Sequence, residues 1–344
     1  MGLNFWLTQL FNGLSYGALL FLLGAGLSLI FGVMRIVNLS HGSYFLLGGY
    51  VALSVIKLTG SWVLAIPLAG LTIALIGIVT ERLFFRSTGF EKVRSGIIAL
   101  SVGVLLALTV GRFVPALTGW LPVLLAGAVL AIPLFLFLMR VPAVAIEGDT
   151  LRQVLLTVGF AFLFQQAALD IWGGENMDIS PPAVLRETVQ LGGVYLPLYR
   201  VFMICIASVI GLALWLVMER TRMGAKVRAT VDDAQMARGV GIDTSRISMF
   251  IFGLGAFLAA VGGVIGGGFL GVYPGLDFQI LPLAFAVVII GGMGSLGGAA
   301  VGALVVGLAD NLGKALFPEI SYFTLYAPMA LILAWKPTGL FGRE

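Results

Sequence analysis

The chain has 344 residues, of which 60% are hydrophobic and 10% are charged, whereas soluble domains contain about 25% charged residues. This composition excludes a soluble globular protein and predicts an all-α, polytopic helical membrane protein with a single transmembrane domain over 1–344. The net charge of +4 does not indicate nucleic-acid binding, because the basic residues cluster at predicted membrane borders. The single cysteine, Cys205, excludes an intramolecular disulfide and a cysteine-built metal site, and no metal site is predicted.

A bilayer crossing needs about 20 apolar residues, or fewer where a helix is broken or re-entrant. Eleven hydrophobic segments meet this description, and we expect some of them to be broken or re-entrant helices. They lie at 5–33, 41–58, 62–81, 95–113, 119–139, 151–171, 199–218, 248–272, 279–293, 297–316 and 320–335. Small residues recur at four-residue spacing, as in Gly13 and Gly17 or Gly24, Ser28 and Gly32, which predicts closely packed helices.

The charge distribution orients these segments. The stretch up to Gln9 has no charged residue, which argues against a signal peptide and favours an amino terminus outside. Eleven crossings then place the carboxy terminus inside, with fifteen of the twenty Lys and Arg residues in cytoplasmic loops. The other five are predicted outside: Lys57, Arg112, Arg186, Arg200 and Lys314. The external loop 172–199 is rich in Gly, Pro and polar residues, which predicts an ordered but irregular surface for an external partner.

Two polar or glycine-rich breaks interrupt the apolar runs, one at Asn38–Gly42 and one at Gly291–Gly298. Non-helical backbone at membrane depth is tolerated where it is buried in protein or lines a cavity, and paired breaks point to a transport pathway. The alternative is that both are ordinary cytoplasmic turns, with His41 a hydrogen-bonded structural group. The residues predicted to line the pathway are Asn38, Ser40, His41, Gly291, Gly294 and Ser295.

The polar segment 219–248 lies between two runs long enough to cross a bilayer, and it contains six basic residues. A short loop this rich in Lys and Arg belongs in the cytoplasm. Its Ala-rich part, Ala225–Ala237, predicts a helix lying on the membrane, and Gly239 is the predicted stop of that helix. This loop is suited to contact a cytoplasmic partner.

The sequence offers little chemistry of its own. The segment Gly307–Ala315 imitates a nucleotide-binding loop, but it has five residues between its glycines instead of four and lacks the final Ser or Thr. The carboxylates Glu81, Asp170 and Asp310 are predicted near segment ends, which disfavours an ion-coupled secondary transporter. A passive small-solute channel is a third candidate. The cytoplasmic loop favours an ABC permease over both, since a channel does not need a docking helix.

Four blocks resemble the permease subunits of ABC importers for branched-chain amino acids: Gly26–Ala52, the loop Arg220–Ile247, Tyr273–Gly307 and the ending WKPTGLFG. This family also takes up urea, short amides and some aromatic acids. In the loop, Asp233, Ala234 and Gly239 fall at the spacing of the Glu-Ala-Ala-x-x-x-Gly segment through which such permeases contact their ATPases, with Asp in place of Glu and Gln235 in place of the second Ala. Gly224 and Arg228 belong to the same predicted coupling surface.

The resemblance implies a non-enzymatic permease of the bacterial inner membrane that works by ATP-driven alternating access and binds no cofactor. It implies two ABC ATPase subunits that hold ATP and Mg, a second related permease in a heterodimer or a homodimer, and a soluble periplasmic substrate-binding protein. Membrane lipids surround the assembly. The substrate is not specified, since selectivity can reside in the binding protein.

One departure from the family pattern is predicted. In typical relatives the stretch corresponding to Thr80–Leu83 leads within a few residues to a helix like Leu151–Gly159, whereas here roughly sixty residues intervene. They contain the segments 95–113 and 119–139, which predict an additional helix pair over 95–140. An even number of added crossings preserves the orientation of everything downstream.

Overall fold

The computed structural model describes residues 2–82, 150–191 and 194–342. By contacts, Met1–Val79 and Thr150–Glu344 form one compact unit, and Thr80–Asp149 is a separate one. Within the described ranges the chain forms eleven α-helices and one short hairpin. The helices are α1 Leu3–Met34, α2 His41–Thr59, α3 Trp62–Thr80, α4 Thr150–Trp172, α5 Leu198–Arg220, α6 Arg222–Asp232, α7 Ala234–Gly239, α8 Thr244–Leu270, α9 Leu276–Gly291, α10 Leu296–Leu316 and α11 Ser321–Trp335.

The all-α polytopic fold class is confirmed. Among the described residues, seven helices (α1, α2, α3, α4, α5, α8 and α10) are long and apolar enough to cross a membrane. The helices α9 and α11 are apolar but shorter. Nine of the predicted segments fall within the described ranges, and each is a helix there. The segments 95–113 and 119–139, and with them the predicted extra helix pair, lie outside the described residues.

The long helix α1 lies at the centre of the packing, against α2, α5, α8, α9 and α10. Small residues permit these contacts, as the glycine spacing predicts. A Cβ atom on Gly17 would lie 2.8 Å from the carbonyl oxygen of Ala303 in α10, and one on Gly26 would lie 2.8 Å from that of Gly255 in α8. Helix α2 packs in turn between α8, α9 and α4.

The loop after α4 is more regular than the sequence analysis predicts. A single turn of 3-10 helix at Ala183–Arg186 precedes two antiparallel strands, β1 Thr188–Leu191 and β2 Val194–Pro197, in which Thr188 pairs with Pro197. A separate bridge joins Met177 to Val272. The Gly-Gly pair 192–193, which lies between two short runs containing Val, Leu and Tyr, is the hairpin signal in the sequence.

Candidate functional site

The first break carries the chain back along α1. Helix α1 ends at Met34, and Arg35 then adopts a left-handed conformation with φ 54°. The residues that follow are not helical until α2 begins at His41, whose Nε2 lies 3.0 Å from the carbonyl oxygen of Leu23. Leu23 precedes Met34 by eleven residues, which is roughly 16 Å along a helix. Helix α2 therefore starts beside the apolar stretch of α1 and not at its end.

The polar side chains of this first break are completely buried. Asn38 and His41 are 0% exposed and Ser40 is 1% exposed. Asn38 Oδ1 accepts hydrogen bonds from the backbone N–H of Ser40 at 3.1 Å and from its Oγ at 2.7 Å, so the asparagine holds the turn that precedes α2. Within the described part of the chain, Asn38 Nδ2 and His41 Nδ1 have no hydrogen-bond partner.

The second break is a tight turn between α9 and α10, as the alternative interpretation has it. Gly292 and Gly294 have φ of 99° and 82°, and Ser295 Oγ accepts from the N–H of Gly298 at 3.0 Å, which caps α10. Met293 at its tip is exposed. Gly291 and Gly298 face each other so closely that a Cβ atom on either would collide with the backbone of the other.

The carboxy-terminal segment covers the second break. The backbone N–H groups of Leu340 and Phe341 donate to the carbonyl oxygens of Ile290 and Gly291, each at 2.9 Å. These carbonyls belong to the last turn of α9, where a helix leaves its acceptors unpaired. Lys336 Nζ donates to the carbonyl oxygen of Leu340 at 2.8 Å and closes the segment on itself. The ending of the chain is thus a cap on α9.

The predicted coupling loop forms two helices, α6 and α7, so the expectation of one helix over Ala225–Ala237 is wrong. The chain bends at Asp233, which is extended, with φ −153° and ψ 106°. Asp233 Oδ1 accepts from the N–H groups of Gln235 and Met236 at 2.8 and 2.9 Å, so it caps the start of α7. An aspartate that competes for backbone N–H groups ends one helix and begins the next.

The helix stops at Gly239, as predicted, but this glycine is not left-handed. Gly239 is the last helical residue of α7, and the left-handed glycine of this loop is Gly241, with φ 85°. A Cβ atom on Gly239 would meet nothing within 4 Å. The left-handed glycine therefore lies two residues after the end of the helix, and Gly239 needs no special conformation.

The two helices are fixed to the ends of the spans that flank them. Gly224 is buried, because a Cβ atom there would collide with the carbonyls of Val217 and Met218 at the end of α5. Arg228 donates to the carbonyl oxygen of Met218 and lies 3.5 Å from the carboxylate of Glu219. Ala234 is half-buried. These contacts join α6 directly to the end of α5.

The outward side of α7 is apolar. Met236 and Val240 are 72% and 79% exposed, whereas Ala237 between them is buried. Met236 lies in the first turn of α7, beside the Asp233 cap, and Val240 lies at the other end of the helix. The structure therefore brings the predicted coupling residues together as one rigid surface with an exposed apolar tip.

The sequence analysis missed one buried carboxylate. Asp277 lies in the first turn of α9 and is 2% exposed, whereas the sequence analysis considers only Glu81, Asp170 and Asp310. Its Oδ2 accepts from Ser43 Oγ in the first turn of α2 at 2.9 Å. The predicted segment 279–293 starts two residues after it. Gly275 caps the start of α9 in a left-handed conformation with φ 100°, and the helix therefore includes the acid in its first turn.

Comparison with known proteins assigns the chain to a family. The family model described as the branched-chain amino acid transport system permease component matches residues 9–111 and 87–333. The chain belongs to this permease family. The resemblance noted from its sequence blocks is thereby confirmed. A membrane permease of this family is a transport subunit and not an enzyme.

Curated relatives match the permease over nearly its whole length. It is 26% identical to the high-affinity branched-chain amino acid transport system permease protein BraD of Pseudomonas aeruginosa, over 98% of this chain and 96% of the relative. It is 25% identical to the corresponding protein LivH of Escherichia coli K12 over the same shares. The permease protein LivM of Escherichia coli K12 is 27% identical over 59% of this chain and 53% of its own length. No solved structure matches the permease.

Proposed function

We propose that this permease is the membrane subunit of a binding-protein-dependent ABC importer that moves branched-chain amino acids, or a related small solute such as urea, a short amide or an aromatic acid. The observation that supports the ATP-driven mechanism is the α6–α7 unit. A rigid pair of short helices with an exposed apolar tip, anchored to the ends of α5 and α8, is suited to transmit motion from a partner to the spans.

The proposed assembly contains a second related permease, two ATPases that hold ATP and Mg, and a soluble periplasmic binding protein, in the bacterial inner membrane. The similarity of this chain to both LivH and LivM supports pairing with a related permease. The proposed orientation has the amino terminus outside and the carboxy terminus inside, which puts α6 and α7 in the cytoplasm. The hairpin β1–β2 is then available to the binding protein.

For the route of the solute, the first break has the stronger support. Its buried residues Asn38, Ser40 and His41 lie at a helix break beside the apolar stretch of α1, the arrangement that transporters use near the membrane centre. Gly291, Gly294 and Ser295 form a turn packed against neighbouring backbone, which supports a role in holding α9 and α10 together.

The mechanism is tested by reconstituting the permease with its co-purifying partners in vesicles and measuring uptake of leucine. We expect uptake to need ATP and the binding protein. Uptake driven by a sodium or proton gradient without ATP, or mere equilibration across the membrane, would overturn the ABC assignment in favour of a secondary transporter or a channel.

The coupling surface is tested by a pair of matched variants. Val240→Asp places a charge on the exposed tip beside α7, and Val184→Asp places the same charge on an exposed valine of the external loop. We expect Val240→Asp to lose the ATPases on purification while the permease remains inserted, and Val184→Asp to retain them. Equal retention of the ATPases by both variants would show that the exposed tip is not part of the docking surface.

A further inference from the structure

The first turns of α2 and α9 meet in the protein interior, and a carboxylate lies at their junction. Gly42 of α2 contacts α9 so closely that a Cβ atom on it would meet the carbonyl oxygen of Asp277 and lie 3.2 Å from Cβ of Leu281. Ser43, the next residue, donates its hydroxyl to Asp277 Oδ2 at 2.9 Å. The carboxylate is thus fixed between two helix starts.

Only part of the cost of burying this charge is offset by the groups around it. The amino-terminal ends of α2 and α9 carry partial positive charge, which stabilises a nearby carboxylate, and the Ser43 hydroxyl satisfies Oδ2. Oδ1 is buried and makes no hydrogen bond of good geometry with the described residues, although the backbone N–H groups of Gly275, Asp277 and Phe278 lie close to the carboxylate. A buried carboxylate oxygen without a donor is unfavourable, and ionisable groups inside membrane proteins usually bind or move something.

A hydrogen-bond donor without a partner lies at the same end of α2. The amide Nδ2 of Asn38, three residues before the helix, is a hydrogen-bond donor that lacks an acceptor in the described part of the chain. The start of α2 thus offers an unfilled acceptor on Asp277 and an unfilled donor on Asn38. A zwitterionic amino acid carries the complementary pair, an ammonium donor and a carboxylate acceptor.

We propose that Asp277 binds the ammonium group of an amino acid as it passes through the permease, with Ser43 orienting the carboxylate. Asn38 and the amino-terminal end of α2 have the polarity that the carboxylate of the same solute requires. This assignment rests on the proposed function, because it selects zwitterionic amino acids from the small solutes that the proposed importer could carry.

The test compares the wild-type permease with three variants. Each is part of a complete importer that is reconstituted in vesicles with the binding protein. Uptake of radiolabelled leucine and ATP turnover are measured in the same vesicles, and uptake per ATP is the readout. Asp277→Asn keeps an acceptor for Ser43 but removes the charge, and Asp277→Glu restores the charge. Asp310→Asn is the matched control, because Asp310 is a buried carboxylate whose partner is Lys314 at 2.7 Å.

We expect Asp277→Asn to lower leucine uptake per ATP by roughly tenfold to a hundredfold, the loss typical of a hydrogen bond to a charged group. Asp277→Glu should recover part of it, and Asp310→Asn should keep the wild-type ratio. Wild-type uptake per ATP in an assembled Asp277→Asn importer overturns the proposal. A wild-type importer that takes up urea or a short amide but no leucine also overturns the proposal. A wild-type importer without ATP-dependent uptake of any of these solutes speaks against the proposed function instead.

Two further measurements separate this role from a structural bond and from an inorganic cation site. Ser43→Ala keeps the charge, so it should lower uptake per ATP, but less than Asp277→Asn. A loss as large as that of Asp277→Asn would make the Ser43–Asp277 bond a latch between helices and overturn the proposal, as would no loss at all. Leucine uptake that requires sodium ions in the wild type and in Asp277→Glu, but not in Asp277→Asn, would assign the carboxylate to an inorganic cation and overturn the proposal.

Discussion

Gly32 in α1 and Gly294 in the turn after α9 are in backbone contact, because a Cβ atom on Gly32 would lie 2.7 Å from the Cα of Gly294. Nearby, Ser28 Oγ donates to the carbonyl oxygen of Ser295 at 3.3 Å. The central helix is thus tied to the second break by two contacts one helical turn apart.

This contact predicts a strong effect of one methyl group. Gly32→Ala should lower the stability of the purified permease by about 1–3 kcal/mol, the usual cost of overpacking. Gly297→Ala is the control, since a Cβ atom there meets nothing within 4 Å. Thermal unfolding of both variants in the same detergent checks the difference, and equal melting curves would contradict the close approach.

Because of this close contact, a bulky residue at Gly294 cannot show whether the turn lines the solute route. Gly294 has φ 82° and contacts Gly32, while Gly302 contacts the carbonyl of Val287. A tryptophan at either position would disturb packing, so comparing the two cannot separate a blocked route from failed assembly. Substitutions that remove polar atoms without adding bulk are more informative about the route.

The hydrogen bond between Asn38 and Ser40 can be tested by a double-mutant cycle. Asn38→Ala leaves the buried Ser40 hydroxyl without its partner at 2.7 Å, which should cost about 1–3 kcal/mol. Ser40→Ala in the same chain removes the orphaned hydroxyl, so the double variant should be less destabilised than the sum of the single ones. Thermal unfolding measures the three free-energy changes, and strict additivity would contradict the hydrogen bond.

The fold was largely predictable from the sequence because membrane spans need long apolar runs, and each described run is a helix. The bend at Asp233 was harder to predict. Its residues Asp232, Asp233 and Ala234 suit either a continuous helix or a cap, and tertiary contacts of α6 with α1 and α8 favour the bend. Asp277 was missed for a different reason. Burial of a carboxylate depends on Ser43, which is distant in sequence, and no local pattern reports that contact.

The corrected coupling loop makes a prediction about local stability. Asp233→Ala removes the cap of α7 and should destabilise it by about 0.5–2 kcal/mol. Hydrogen exchange of the peptide 233–242 should therefore become faster in Asp233→Ala and remain near wild type in Asp233→Asn. Gly239→Ala should slow exchange, because alanine favours a helix and the position has open space. Faster exchange in Gly239→Ala would indicate that Gly239 adopts the left-handed conformation after all.

The carboxy-terminal cap on α9 predicts an effect of truncation. Deletion of 337–344 removes the N–H groups that Leu340 and Phe341 donate to Ile290 and Gly291, at about 1 kcal/mol for each bond. Deletion of 343–344 alone leaves both bonds in place. We expect the longer deletion to lower the melting temperature of the permease and the shorter one to leave it unchanged. Identical melting temperatures would show that the segment does not stabilise the end of α9.

Labelling on either side of 80–149 can decide whether this stretch crosses the membrane an even or an odd number of times. In a Cys205→Ala background, single cysteines replace Thr59, Ser180 and Gln235, which are exposed in the loops after α2, after α4 and in α7. Between Thr59 and Ser180 the chain passes through α3, the segment 81–149 and α4, so the two cysteines share a side only if that segment crosses the membrane an even number of times. We expect an impermeant thiol reagent to reach both from outside and to reach Gln235→Cys only from inside. Opposite labelling of Thr59→Cys and Ser180→Cys would mean an odd number of crossings, and the additional segments 95–113 and 119–139 could not both be spans.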